Sequence, residues 1–93
     1  RIASLFAAKS AQTLSELEAA SASGDIEAVG RSAHALKSMS YNMGARGVAE
    51  AAAAMERAAR QELAPVTEPE LARLRAMLSR TNGALDEALK SAA

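Results

Sequence analysis

The strongest constraint on this chain is the spacing of small and apolar residues between positions 26 and 43. Ile26, Val29, Ala33, Leu36, Ser40 and Met43 follow one another at alternating intervals of three and four, the repeat that lines up side chains on one face of an α-helix. The ends are marked as well. Asp25 after Gly24 can cap the start, and Gly44 supplies the stop.

Similar seams occur elsewhere. Leu71, Leu74, Leu78, Thr81, Leu85 and Leu89 follow Pro69, which suits a first helical turn. Val48, Ala52, Met55, Ala59 and Leu63, or a nearby register, form a third seam. Ile2, Phe6, Leu14 and Leu17 form a fourth, with a polar gap at Lys9 and Ser10. Breakers separate them at Ser21-Ala22-Ser23-Gly24, at Gly44 and Gly47, and along Ala64-Pro65-Val66-Thr67-Glu68-Pro69. The predicted helices span about 2–20, 25–43, 46–63 and 69–90 of a single domain, residues 1–93. Short connections set consecutive helices side by side, so the expected fold is all-α, an antiparallel up-down-up-down four-helix bundle.

Composition supports helix: Ala, Leu, Arg, Glu and Met abound, against five Ile or Val and three Thr. Alanine contributes 25 of the 93 residues, and Phe6 and Tyr41 are the only aromatics. The core must be thin, with helix axes close together. Eleven basic and eleven acidic residues cancel, which argues against nucleic acid as the main partner. The absence of cysteine removes disulfides, thiol nucleophiles and thiolate metal sites. No stretch reads as a membrane span or a signal peptide, so no membrane partner and a cytoplasmic location are expected. Beginning at Arg1 without an initiator methionine, the chain reads as a fragment or a processed product.

One histidine remains to carry chemistry. At roughly 100° per residue, His34 lies about 140° from the direction of the seam on its helix, so it belongs in water or at the rim. Gly30 and Ser38, one turn to either side, put small residues above and below the ring. A glycine within a helix costs about 1 kcal/mol relative to alanine, which is easier to understand if something approaches the backbone there. Lys37 at i+3 and Arg31 at i−3 would favour an anion beside the ring. Other readings stand beside these: a plain surface histidine, a solvated Lys37, and a Gly30 that only serves close helix packing.

His34-Ala35-Leu36-Lys37-Ser38, continuing through Ser40 to Asn42-Met43-Gly44-Ala45, resembles the signature of histidine-containing phosphotransfer (HPt) domains of bacterial multistep phosphorelays. That signature runs A-H-x-L-K-G-S, two to four small or polar residues, then L-G-A. Ala33, His34, Leu36, Lys37, Gly44 and Ala45 match it, and Met43 replaces the usual leucine. Gly24-Asp25 resembles the family's turn before this helix, and Met55-Glu56 with Arg60 resembles its L-E-x-x-x-[KR] stretch. Ser38 stands in place of the common glycine, Met39 in place of the common serine, and Tyr41 is bulkier than usual.

The resemblance implies that His34 accepts a phosphoryl group from the aspartyl phosphate of one response-regulator receiver domain and passes it to the aspartate of another. Lys37 would stabilise charge on the phosphoryl oxygens and Ser38 could donate a hydrogen bond to them. Gly30, Arg31 and Tyr41 would meet the partner, with Arg31 the leading charged contact, and Gly44 would be structural. The chain would need no cofactor or metal of its own, Mg²⁺ belonging to the receiver, and would act as a monomeric intermediate without autokinase activity. A hybrid histidine kinase is a further partner the resemblance allows. The alternative is a non-catalytic helical interaction bundle whose surface histidine is incidental. The remaining charges, Arg46, Glu50, Glu56, Arg57 and Arg60, read mostly as solvated.

Overall fold

The computed structural model describes residues 2–92, with side chains described for 5–88 and 90. Four helices follow in order: α1 Ile2–Ser23, α2 Ile26–Met43, α3 Arg46–Arg57 and α4 Glu68–Ala92. A π-helical turn, Ala58–Glu62, extends α3, and no strand occurs among the described residues. α1 packs on α2 and α4, and α3 packs on α2 and α4, which is the antiparallel up-down-up-down four-helix bundle. The molecule is a rod of 45 × 19 × 19 Å.

Each helix supplies one fully buried large side chain, Leu17, Leu36, Val48 and Leu74. Small residues recur among the buried positions of α2 and the α3 segment, Gly30, Ala33, Ser40, Ala49, Ala52 and Ala59, so these two backbones approach closely and form the most extensive pairing in the bundle. The α2 seam is buried at Val29, Ala33, Leu36 and Ser40, with Ile26 and Met43 half-buried at its ends.

The helix ends have local causes. The Asp25 carboxylate accepts a hydrogen bond from the Ala28 amide at 3.0 Å. At the other end of α2, Gly44 adopts φ 78°, its amide bonds the Tyr41 carbonyl at 3.1 Å and the Ala45 amide bonds the Ser40 carbonyl at 2.8 Å. That closure needs a left-handed residue, which glycine supplies without a Cβ clash. α4 starts on a capping box: the Thr67 hydroxyl and amide both donate to the Glu70 carboxylate, at 2.9 and 3.0 Å, and the Glu70 amide donates back to the Thr67 hydroxyl at 3.4 Å.

Four details of the predicted helices and seams change. α1 continues to Ser23 rather than stopping near residue 20. Its serines are accommodated because Ser23 bonds the Ala20 carbonyl at 3.1 Å and Ser21 the Val66 carbonyl at 3.4 Å. The expected polar gap in α1 closes at Ser10, which is fully buried and donates to the Ala7 carbonyl at 3.3 Å. Leu63 does not join the α3 seam: the π turn shifts the register, Leu63 takes φ 52°, and its side chain is 69% exposed. Thr81 and Leu85 are only half-buried, while the side chains of Ile2 and Leu89 lie outside the described residues.

Candidate functional site

α2 presents His34 on its outer rim, with the side chain 52% exposed. Burial of the Val29–Leu36–Ser40 face fixes this outward direction, because a residue so far around the helix cannot enter the same core. The ring is not alone in solvent. Its Nδ1 lies 2.9 Å from Oε2 of Glu56 on α3.

Glu56 is the hub of the site. Its side chain is 12% exposed, and it holds Lys37 Nζ at 2.8 Å on Oε1 and Arg60 Nη1 at 3.4 Å on Oε2. The Lys37 ammonium keeps the Glu56 carboxyl below the usual carboxylate range, against the opposing push of burial, and His34 adds to the lowering. An ionised carboxylate can only accept hydrogen bonds. Nδ1 must therefore be the donor, and in the neutral ring the lone pair sits on Nε2, for which no partner occurs among the described residues.

The other predicted residues fall into two groups. Lys37, 28% exposed, joins His34 around Glu56. Gly30 is buried at the same junction: a Cβ there would lie 3.1 Å from Nε and 3.2 Å from Cγ of Arg60. The residue that approaches the α2 backbone at this glycine is thus Arg60 of the chain itself. Arg31 turns away, pairing at 2.9 Å with Glu27 one turn back on its own helix. Ser38 is exposed one turn beyond His34, Tyr41 is 53% exposed two turns beyond it, and Gly44 closes the helix. Among the described residues, no group of three or more His, Cys, Asp or Glu side chains is placed to hold a metal ion, and no helix is long and apolar enough to cross a membrane.

Glu56 and Arg60, which the sequence places among mostly solvated charges as well as in the L-E-x-x-x-[KR] resemblance, organise the site. The signal was present in the α3 seam. Glu56 immediately follows the core residue Met55, as Lys37 follows Leu36 on α2. Two boundary positions of opposite charge on closely packed neighbouring helices are the arrangement that pairs.

Comparison with curated proteins gives no match, and comparison with solved structures gives none either. The family model described as Hpt domain matches residues 1–84, which takes in most of the four-helix bundle and the whole cluster around His34. That match covers most of the chain and accords with the four-helix bundle: the chain belongs to the Hpt domain family.

Proposed function

We propose that His34 is the phosphoacceptor of a phosphorelay intermediate, taking a phosphoryl group from a receiver-domain aspartyl phosphate and passing it to the aspartate of another receiver. The observation that carries this reading is the 2.9 Å contact of Nδ1 with the ionised Glu56, which leaves Nε2 as the nucleophile on an accessible ring. Transfer through a histidine needs alignment and charge stabilisation more than elaborate covalent machinery. Lys37 holds a positive charge one turn from the ring and can follow the phosphoryl oxygens as their charge arrives next to it. Ser38, exposed on the same side, can offer a hydroxyl to those oxygens. Arg31, Tyr41 and the rim around Gly30 and Arg60 form the surface a receiver would meet, and the metal ion that assists chemistry at an aspartate is assigned to that receiver. The chain serves as a relay intermediate and not as a kinase.

The test is incubation with a phosphorylated receiver domain. The expected product carries label on one acid-labile, base-stable site, and His34→Ala removes it completely. Label retained in His34→Ala would overturn the proposal.

A further inference from the structure

The furrow between α2 and α3 that holds the His34–Glu56 contact does not end at Arg60. It continues toward the start of α2 as an open groove of about 320 Å³, lined by Ile26, Glu27 and Arg31 on one side and Ala59, Arg60 and Leu63 on the other. Resting on the assignment of His34 as phosphoacceptor, we propose that this groove is a docking subsite for the receiver domain, with Leu63 as its anchor. It takes an apolar side chain of the receiver, while the cations beside it meet the receiver's acidic surface.

Leu63 is where residue and local backbone disagree. It closes the π turn at φ 52° and ψ 33°, left-handed backbone that suits glycine and strains a residue with a side chain. Core contacts could offset that strain, yet the side chain is 69% exposed. Neither the helix stop nor the core needs a leucine here. Strained backbone at a residue other than glycine concentrates where a ligand or partner is held, and π turns within helices share that tendency.

Distance names the occupant. Ile26 and Glu27 precede His34 by eight and seven residues, about 11 Å along α2. A receiver that sets its aspartate against Nε2 covers about 600 Å² of this chain even in a small transient interface. A disc of that area centred on His34 has a radius of about 14 Å and reaches the groove. Charge favours the same partner. Three cations, Arg31, Lys37 and Arg60, face two carboxylates, Glu27 and Glu56. The Arg31–Glu27 pair is exposed on both sides, so a partner displaces it at little cost. Arg60 stands 3.4 Å from a carboxylate that Lys37 already binds at 2.8 Å. The cation in excess complements a domain that brings an aspartate and a phosphoryl group.

The experiment takes a phosphorylated receiver domain that charges the wild-type chain and follows single-turnover transfer over a range of receiver concentrations. Wild type, Leu63→Gly and Leu63→Met are compared. Glycine suits the left-handed backbone, so Leu63→Gly removes the anchor without removing the fold, which circular dichroism checks. Methionine keeps an apolar side chain of similar size. The expected result for Leu63→Gly is a half-saturating receiver concentration raised about tenfold, with the maximal rate at saturation unchanged. Leu63→Met should stay close to wild type. Superimposable concentration dependences for wild type and Leu63→Gly, a loss confined to the maximal rate, or equal losses in both variants overturn the inference while leaving the phosphoacceptor assignment intact. Failure of wild-type His34 to take label overturns the assignment itself, and the inference with it.

Discussion

At the scale of the residue, the site is built around a carboxylate and not around the histidine. Glu56 sits between His34, Lys37 and Arg60, and its effect on stability has a definite sign. Because its pKa is lowered in the folded chain, the unfolded chain binds a proton there more readily. The stabilisation is therefore fully present above the ordinary carboxylate range and is lost as pH falls through the lowered folded-state value. Urea midpoints of wild type and Glu56→Gln should differ in favour of wild type near neutral pH, and the gap should close on acidification below the usual carboxylate range. A gap that persists undiminished in acid would mean that packing, and not charge, ties Glu56 to the fold.

At the scale of the element, α2 accommodates a conflict at Gly30. Helix propensity favours alanine there by about 1 kcal/mol, but a Cβ would come within 3.1–3.2 Å of the Arg60 side chain, which must then move. Gly30→Ala in the wild-type background should gain little or no stability. In an Arg60→Ala background, where the obstacle is gone, the same change should stabilise by most of about 1 kcal/mol. Chemical denaturation of the four proteins in this double-mutant cycle measures the difference, and equal effects in both backgrounds would refute the steric account. The sequence marked Gly30 as a place of close approach, but not what approaches it, since the π turn that extends α3 to Arg60 leaves no periodic signal.

At the scale of the molecule, the thin core makes each large apolar side chain count. Leu17 is fully buried where α1 faces the bundle, whereas Leu63 follows the π turn and stands in solvent. Leu17→Ala should cost about 2–5 kcal/mol by lost burial and cavity formation, and Leu63→Ala should stay within about 0.5 kcal/mol of wild type. Thermal or urea unfolding checks both, and a large loss in Leu63→Ala would restore that residue to the α3 seam. Close packing also decides where the site lies. Alanines at 33, 49, 52 and 59 draw α2 and α3 together, and only at that separation does one carboxylate reach both His34 and Lys37.

The sequence by itself determined the helical class, the caps at Asp25 and Gly44, the core face of α2 and the outward direction of His34. Each of these depends on residues a few positions apart on one helix, and a period of 3.6 residues writes them directly into the chain. Tertiary structure alone decided the rest: that Glu56 joins the histidine, that Arg60 fills the space above Gly30, and that Leu63 faces water. The first two join residues 22 and 30 positions apart on neighbouring helices, so they depend on the distance and rotation between two axes. The Arg31 pair, by contrast, spans a single turn of its own helix and is of the local kind. Leu63 follows from a π turn that apolar periodicity does not record. Packing of whole faces sets those quantities, and local spacing carries no measure of them.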